Sequence, residues 1–258
     1  MPTKVQLLSV IIPVRNEESC VTKTVEALLL TLRKAEAPFE IITVDDQSTD
    51  GTRALLMELM RKNHEVRYLE NTMEPGFGNA VQSGLSKMKG DAAVIFMADQ
   101  SDNPDDVVTY REKLNEGYDC VFGSRFVKGG RVIGYPFPKL ILNRLANKLI
   151  QFIFGIRLND TTNAFKAYRR KVVRGCQPLL SPHFNLTVEL PLKAIIRGYT
   201  WTVVPIGWQN RKSGSAKFKI SEMGSRYVFI ILYAWMEKYF SRGDYHRSKR
   251  DNKGRRLS

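Results

Sequence analysis

The sequence predicts an α/β fold in which a mostly parallel sheet carries helices on both faces. Two observations predict it. Short apolar runs rich in β-branched residues alternate with segments of helical periodicity over the first half of the chain. Acidic residues gather in the turns that follow these runs, where the carboxyl ends of parallel strands form a ligand-binding edge.

The alternation begins with Leu8–Val14, a run dominated by Val, Ile and Leu that is typical of a strand covered on both faces. Apolar residues at helical spacing follow it and predict a helix packed on the sheet. The same pair of patterns then recurs with short polar turns in between. The predicted strands are residues 8–14, 40–44, 66–69, 92–97 and 120–123, and the predicted helices are residues 17–34, 52–62, 78–89 and 104–115.

Two later segments, residues 139–155 and 227–239, combine apolar and aromatic residues with Lys and Arg. This composition indicates amphipathic helices at a membrane interface, but it also fits helices that cover the sheet or form a dimer contact. The uncharged apolar stretch at residues 227–236 is too short to span a bilayer. We therefore expect attachment to a membrane surface without a spanning helix.

The charge balance indicates a polyanionic partner. The 258 residues include 40 Lys and Arg against 26 Asp and Glu, a formal net charge of +14. Nucleic acid, an anionic membrane and phosphorylated substrates would each explain this excess, but acidic turns at the sheet edge disfavour nucleic acid. Residues 241–258 are rich in Lys and Arg, so we expect a disordered tail that is attracted to anionic headgroups.

Cysteine usage and the N-terminus favour a cytoplasmic protein. Cys20, Cys120 and Cys176 are odd in number and widely spaced, which fits neither a disulfide framework nor a zinc site. The N-terminal residues lack the form of a signal peptide. We therefore expect a reducing, cytoplasmic location on the inner face of a membrane.

Four motifs follow predicted strands in a fixed order: PVRNE at residues 13–17, VDDQSTDGT at 44–52, MAD at 97–99 and GSR at 123–125. Together they resemble the motifs of family 2 GT-A glycosyltransferases, and most closely the branch of dolichyl- and polyprenyl-phosphate mannosyl- and glucosyltransferases. The resemblance covers residues 10–218. It implies a Rossmann-like GT-A catalytic domain over residues 1–222, followed by an amphipathic membrane-interface helix over 223–240 and the basic tail over 241–258.

The resemblance implies that the first two turns hold a nucleotide-sugar donor. Asp45 would accept a hydrogen bond from the base, and a buried carboxylate suits this task because uracil and guanine both present an N–H. A competing interpretation is that Asp45 and its neighbour only cap the following helix. The donor-site residues implied by motif are Pro13, Glu17, Val44, Asp45, Ala98, Asp99, Asp160 and Thr162.

A glycine-rich turn, GFG at residues 76–78, precedes the third predicted helix. Backbone N–H groups at a helix start can bind phosphate, whereas small residues also permit tight packing. The sequence leaves these two alternatives open.

The turn at residues 97–102 implies a divalent metal, Mg²⁺ or Mn²⁺. The family carries Asp-x-Asp here, and its metal bridges the donor diphosphate. In this chain Met97 replaces the first Asp, so Asp99 and Asp102 are the predicted ligands, with diphosphate oxygens and water completing the shell. Asp102 has a second interpretation, because a residue shortly before Pro104 is typical of a helix N-terminus.

Basic residues predict how the acceptor is bound. A phosphate monoester is ionised at neutral pH, so it needs a cationic clamp and no general base. By motif match, this lipid-phosphate clamp is Arg125, Arg144 and Lys217, although Arg144 equally fits a basic residue that snorkels from an interfacial helix. The predicted catalytic residues are Asp99, Arg125, Arg211 and Lys217.

The combined expectation is an inverting transferase that moves a hexose from a GDP- or UDP-sugar to a polyprenyl phosphate at the cytoplasmic membrane face. A membrane-protein partner or a homo-oligomer would fit the same surface. One alternative is a soluble transferase for a saccharide or protein, with Asp160 or Glu189 as general base. Glu189 also fits a buried structural residue. Another alternative is a homologue that binds nucleotide sugars but is catalytically impaired because of Met97.

Overall fold

The computed structural model describes residues 3–210 and 220–247, with side chains described from residue 224 in the second range. Strands and helices alternate from Leu8 to Ser124, as the sequence predicts. The elements are β1 (Leu8–Val14), α1 (Val21–Lys34), β2 (Phe39–Asp45), α2 (Thr52–Lys62), β3 (Val66–Glu70), α3 (Phe77–Lys87), β4 (Ala92–Ile95), α4 (Asp105–Asn115), β5 (Cys120–Ser124), β6 (Arg131–Ile133), α5 (Phe137–Phe154), β7 (Lys166–Arg169), α6 (Arg170–Gly175), α7 (Leu186–Ile196), β8 (Trp201–Pro205), β9 (Gly207–Gln209) and α8 (Ile220–Phe240).

Seven strands form one sheet in the order β3-β2-β1-β4-β7-β5-β8. β1 pairs in parallel with both β2 and β4, and β5 pairs in parallel with β8. β7 runs antiparallel between β4 and β5. The predicted α/β fold with a mostly parallel sheet is therefore confirmed, and a short pair of strands, β6 and β9, is added to it.

The structure differs from the sequence-based expectation at α1 and at β7. α1 begins at Val21 rather than at residue 17, because the backbone of Cys20, with φ −136° and ψ −21°, is not helical. A turn closed by the N–H groups of Cys20 and Val21 on the Glu17 carbonyl precedes the helix. β7 was not predicted as a strand. Its terminal residues Lys166 and Arg169 are basic, whereas strands buried in the middle of a sheet are usually apolar throughout.

Two apolar cores cover the two faces of the sheet. One core packs α1, α2 and α4 against the strands, with Val25, Leu56 and Tyr110 among its fully buried side chains. The other core packs α3, α6 and α7 on the opposite face, with Val81 and Leu190 buried. The sheet is therefore covered by helices on both sides, as its apolar strands require.

A third apolar cluster joins α5, α7 and α8. Buried residues from all three helices form it, and the Arg197 guanidinium binds the Glu237 carboxylate through Nε and Nη2 at 2.6 and 2.8 Å. The Lys238 ammonium also donates to the carbonyl of Phe154 at 2.6 Å, at the end of α5. The predicted amphipathic helices are thus packed on the catalytic fold by one face. Their outward residues stay exposed: Phe137, Ile141, Leu142, Leu145, Leu149, Phe152, Val228, Phe229, Leu232, Met236, Tyr239 and Phe240.

Candidate active site

The turns after β1, β2 and β4 meet at the carboxyl edge of the sheet, because these strands are parallel neighbours. Asn16 ties the first two turns together: its N–H donates to Ser48 Oγ at 3.0 Å, and its Oδ1 accepts from the Thr49 N–H at 2.7 Å. The Asp46 N–H also donates to the Val14 carbonyl at 2.7 Å. The motif residues of these turns are therefore brought together, as predicted.

Each of these three turns contains a non-glycine residue with a left-handed backbone. The φ angles are 52° at Asn16, 56° at Gln47 and 61° at Gln100. Such conformations are uncommon outside glycine and concentrate where a loop has a functional geometry to keep. Of the five non-glycine residues with positive φ in the described part of the chain, three therefore lie in turns at the carboxyl edge of the sheet.

Asp45 lies at the end of β2 and is only 2% exposed. Its Oδ1 accepts from the Ser48 N–H at 3.0 Å, and its Oδ2 accepts from the Tyr68 hydroxyl at 3.3 Å. The first N–H of α2, that of Thr52, is bound instead by Asp50 Oδ1 at 3.0 Å. Asp50 therefore performs the capping task that was the competing interpretation of Asp45.

Asp46 is fixed by the next turn along the sheet edge. Its Oδ1 accepts from the Asn71 side-chain amide at 2.7 Å and from the Gly76 N–H at 3.1 Å. Its Oδ2 lies 3.7 Å from Nη1 of Arg15, a partly exposed guanidinium. Asp46 thus links the second turn to the glycine-rich turn and has a structural task of its own.

The glycine-rich turn is a packing device in this structure. A Cβ atom added at Gly76 would lie 2.3 Å from the Pro182 carbonyl oxygen, and one at Gly78 would lie 2.1 Å from the Ser181 carbonyl oxygen. The Asn79 N–H, near the start of α3, donates to the Pro182 carbonyl at 3.1 Å. The structure therefore favours tight packing over phosphate contact, the two alternatives that the sequence left open.

The other predicted donor-site residues differ in their exposure to solvent. Pro13, Val44 and Ala98 are buried in or beside the sheet, whereas Glu17 lies in the first turn and is partly exposed. Glu17 Oε2 accepts from the Cys20 thiol at 3.2 Å. Burial, with the nearby carboxylates of Glu17 and Asp99, raises the pKa of Cys20 to about 12, so this thiol is protonated at neutral pH. The donor contacts of these residues stay predictions.

The turn after β4 brings Asp99 and Asp102 near each other in different environments. Asp99 is partly exposed and accepts from the Ser101 N–H at 3.2 Å. Asp102 is 6% exposed and accepts from the Met97 N–H at 3.1 Å. Burial, and then the nearby Asp99 carboxylate, raise the pKa of Asp102 to about 7.

These residues do not by themselves build a metal site. Across residues 3–210 and 224–247 no group of three or more His, Cys, Asp or Glu side chains has the arrangement to hold a metal ion. The thioether of Met97 is a soft donor, whereas Mg²⁺ and Mn²⁺ prefer oxygen. Asp99 is partly exposed and Asp102 is buried, so a role for either carboxylate as a metal ligand stays a prediction.

Arg125, directly after β5, forms a buried ion pair with Asp160. Its Nε and Nη2 donate to the two carboxylate oxygens at 2.8 and 2.7 Å, and its backbone N–H donates to the same group at 3.0 Å. The guanidinium is flanked by the rings of Phe126, Tyr135 and Trp208, with centroids 5.3 to 5.7 Å from Cζ. This pair raises the pKa of Arg125 despite its burial.

Arg144, on α5, is held differently. It is partly exposed, its Nη1 donates to the Asn159 carbonyl at 2.9 Å, and its Cζ lies 4.2 Å from the ring centroid of Phe126. Arg125 and Arg144 are therefore brought to one region at the end of β5. The other two predicted cations, Arg211 and Lys217, lie outside the described residues.

These observations can be set beside known proteins. Residues 9–176 match the family described as Glycosyl transferase family 2, which is more than half of the chain. The chain belongs to this family. It is 30% identical over 233 residues to the polyprenol monophosphomannose synthase of Mycolicibacterium smegmatis, covering 84% of this chain and 86% of that protein.

This family 2 glycosyltransferase also resembles a second relative and several solved structures. It is 32% identical over 216 residues to the dolichol-phosphate mannosyltransferase of Pyrococcus furiosus, covering 82% of this chain and 59% of that longer protein. Its fold matches glucosyl-3-phosphoglycerate synthase from Mycobacterium tuberculosis, solved with Mn²⁺, UDP and glucosyl-3-phosphoglycerate, with a TM-score of 0.70 and 17% identity over 89% of this chain and 80% of that one. At that identity the match shows the GT-A fold alone.

α5 supports the loop that carries the predicted sugar residues Asp160 and Thr162. The side-chain amides of Asn143 and Asn147 both donate to Thr162 Oγ1, at 2.8 and 3.1 Å. Asn147 Oδ1 accepts from the Thr161 N–H at 2.6 Å. One face of α5 therefore holds the loop of Asp160 and Thr162 in place beside Arg125.

Lys166 is a site residue whose structural role was not predicted from the sequence. It is fully buried on β7, and its ammonium donates to the carbonyls of Thr161, Asn163 and Thr187. Burial lowers the pKa of Lys166 to about 7. The residue types around Lys166 do not indicate that this basic side chain is buried.

Glu189 has the buried state that its second interpretation describes. It accepts from the N–H groups of Leu180 and Ser181 and pairs with the Lys193 ammonium at 2.7 Å. Both charged groups are fully buried on α7.

Other contacts that the sequence could not indicate are those of Tyr68 with Asp45 and of Phe126 with Arg144, since they join residues distant in the chain.

Proposed function

We propose that this glycosyltransferase transfers a hexose from a GDP- or UDP-sugar to a polyprenyl phosphate, with inversion at the anomeric carbon. One observation supports it most: the acidic turns of Asp45 and Asp99 and the cationic region of Arg125 and Arg144 lie along the same carboxyl edge of the sheet. We infer that the donor and the acceptor bind at neighbouring parts of this edge. The relatives at 30% and 32% identity are named for mannosyl transfer to lipid phosphates.

The donor half of the site selects the base. The Asp45 carboxylate, held by the Ser48 N–H and the Tyr68 hydroxyl, keeps lone pairs for a base N–H, and its burial makes an unmatched base costly. Asp99, in the turn after β4, is the residue that we assign to the diphosphate side. Asn16 joins the turns after β1 and β2 by hydrogen bonds, so the base would bind between loops that are held in place.

The acceptor half requires no general base. A phosphate oxygen of the lipid forms a bond to the anomeric carbon while the bond from that carbon to the donor's β-phosphate oxygen breaks, and the nucleoside diphosphate leaves with the electron pair. The acceptor is already ionised at neutral pH, so no proton must be removed. Cationic side chains offset the charge on the approaching phosphate.

A saccharide or protein acceptor is less well supported by the geometry. Its hydroxyl would need a general base, and Asp160 or Glu189 would have to serve. Asp160 is engaged by both arms of Arg125, and Glu189 is fully buried against Lys193. Both carboxylates already bind a cationic side chain, which leaves them poorly placed to contact an acceptor hydroxyl.

Attachment to a membrane surface is part of the proposal. The outward apolar residues of α5 and α8 form exposed hydrophobic surfaces, which mark sites of contact with a membrane or a partner. α5 also has basic residues but no acidic one. In the part of the chain that is described, no helix is long and apolar enough to cross a bilayer. We therefore propose that these two helices rest in the membrane interface, near the lipid acceptor.

The test is a donor and acceptor panel. GDP-mannose, UDP-glucose and related labelled donors are incubated with the full chain and polyprenyl phosphate in detergent, with the unphosphorylated polyprenol as matched control. A parallel set of reactions offers free saccharides as acceptors. We expect label in a glycosyl lipid with the phosphate acceptor only, and inverted anomeric configuration by NMR. Transfer to saccharides, with none to the lipid phosphate, would overturn the proposal.

A further inference from the structure

Two guanidinium groups lie at the predicted acceptor side, but only one of them is paired with a carboxylate. Arg125 is 7% exposed, and its Nε and Nη2 are both engaged by the two oxygens of Asp160. A bidentate pair of this kind neutralises the cation and fixes its plane. Three aromatic rings then surround the same guanidinium. Arg125 therefore has the surroundings of an internal counter-charge.

Arg144 has no such neutralising partner among the described side chains. Its guanidinium donates once to a carbonyl, that of Asn159, and otherwise lies over the ring of Phe126 at 4.2 Å. A carbonyl and a ring face orient a cation but leave its positive charge in place. Since the side chain is also partly exposed, Arg144 keeps its charge at the surface of the site.

Phe126 is itself fixed by the loops around the site. Its N–H donates to Ser124 Oγ at 3.1 Å, and its carbonyl accepts from the Asn159 side-chain amide at 3.1 Å. Ser124 Oγ also donates to Asn159 Oδ1 at 2.6 Å, which closes the link between the end of β5 and the loop after α5. The ring under Arg144 is thus part of a hydrogen-bonded unit.

We propose that Phe126 is a positioning residue: its ring holds the Arg144 guanidinium ready to receive the acceptor's phosphate. The inference rests on the proposed function, since it assigns a place to the phosphate of that acceptor. Holding a long side chain in one orientation before binding reduces the entropy lost when phosphate binds. Removing the ring should therefore weaken acceptor binding and leave donor binding unchanged.

The test measures acceptor and donor KM separately, with polyprenyl phosphate in detergent and the saturating labelled donor found in the panel. We expect Phe126→Leu to raise the acceptor KM about 5- to 20-fold, with the donor KM within about 2-fold, because a cation–π contact contributes on the order of 1–2 kcal/mol. Phe126→Tyr keeps a ring and should restore the wild-type acceptor KM. In an Arg144→Gln background, Phe126→Leu should add little, since the cation it orients is gone.

Direct binding adds a readout that does not depend on turnover. Calorimetric titration with citronellyl phosphate, a short isoprenyl phosphate, should show the same loss in Phe126→Leu and Arg144→Gln. Arg125→Lys should lower the melting temperature more than either variant, because it disturbs a buried ion pair.

The outcomes separate the inference from the proposed function. Lipid transfer by the wild type with an unchanged acceptor KM in Phe126→Leu would overturn the inference and leave the function standing. Equal changes in donor and acceptor KM, without rescue by Phe126→Tyr, would indicate a merely structural ring and overturn it too. A wild type that neither binds citronellyl phosphate nor glycosylates polyprenyl phosphate would overturn both.

Discussion

Met97 changes the chemistry of the acidic turn, because a thioether stands where the family motif has a carboxylate. A hard cation gains no oxygen ligand from it. We predict that Met97→Asp strengthens Mn²⁺ binding in the presence of UDP or GDP by about 10-fold or more, measured by calorimetry or by the loss of the free Mn²⁺ EPR signal. Met60→Asp, on the exposed side of α2, is the matched control and should leave the affinity unchanged. No gain in Met97→Asp would mean that this position does not face the bound diphosphate.

Asp99 is the carboxylate of that turn that remains partly exposed. We predict that Asp99→Asn reduces glycosyl transfer about 100-fold or more, because a neutral amide would hold less well the cation that the family resemblance implies at the diphosphate, while the contact from the Ser101 N–H can be kept. The melting temperature should stay within about 2 °C, since an exposed polar side chain contributes little to stability. Asp105→Asn, an exposed acid at the start of α4, is the control and should retain activity. Full activity in Asp99→Asn would remove Asp99 from the catalytic residues.

Single residues show where prediction from sequence succeeded. Asp45 and Asp99 follow strands whose apolar runs are easily recognised, and the parallel order of such strands brings their turns to one edge. The engagement of Arg125 by Asp160 could not be predicted, because it depends on two loops that are distant in sequence. The same is true of the ring contact between Phe126 and Arg144.

Among the elements, β7 combines an antiparallel course with a buried lysine. The pKa of Lys166 is lowered from its ordinary 10.5 to about 7 by burial, so between these values the unfolded chain binds a proton that the folded one lacks. Stability contributed by this group therefore rises as pH rises through that window. We predict that the free energy of unfolding increases by on the order of 2 kcal/mol between about pH 7 and about pH 9 relative to Lys166→Met, in which this proton is absent.

Urea unfolding at the two pH values measures this difference. Lys23→Met, at an exposed lysine of α1, is the control and should follow the wild type at both. Parallel pH dependence of the wild type and Lys166→Met would show that Lys166 keeps its proton in the folded protein.

The docking of α8 depends on a buried charge pair. Arg197 and Glu237 are both nearly inaccessible, and their two hydrogen bonds join α8 to the end of α7. We predict that Glu237→Ala destabilises the protein by about 3–5 kcal/mol, because the guanidinium is left buried without its carboxylate. The double variant Arg197→Met with Glu237→Leu should lose clearly less, measured by urea unfolding. Equal losses would mean that packing, rather than the unpaired charge, determines the effect.

The elements also show why prediction was incomplete after residue 124. The strand and helix pattern up to β5 is regular, and each element there was recognised. β6 and β9 have three residues each, and β7 has a basic residue at both ends, so their composition gives a weak signal. β8, with the sequence WTVVP, has a strand-like composition but was not predicted. The pairing of β7 between β4 and β5 is a tertiary fact that local periodicity does not contain.

Considered as a whole, the molecule has exposed apolar faces on α5 and α8. Phe152 is 86% exposed, and Leu145 and Leu149 lie on the same side of α5. We predict that Phe152→Asp weakens partitioning onto vesicles containing phosphatidylglycerol about 10-fold or more, because one buried aromatic side chain contributes about 1.5–3 kcal/mol. Flotation measures the bound fraction, and the melting temperature should not change.

A matched variant exists on the opposite part of the fold. Leu30, on α1, is 74% exposed, so Leu30→Asp makes the same kind of change away from α5 and α8. It should bind vesicles like the wild type. Equal loss in both variants would show that net charge, and not the helix face, controls partitioning.

The two faces of α5 make different contributions. Its inner face, through Asn143 and Asn147, fixes the loop of Asp160 and Thr162, while its outer face carries Leu145 and Phe152. With α5 resting in the membrane interface as proposed, this helix would hold the reaction centre at a fixed height above the acyl chains. We therefore expect surface-dilution kinetics, in which the rate follows the mole fraction of acceptor within the lipid layer and is insensitive to its bulk concentration.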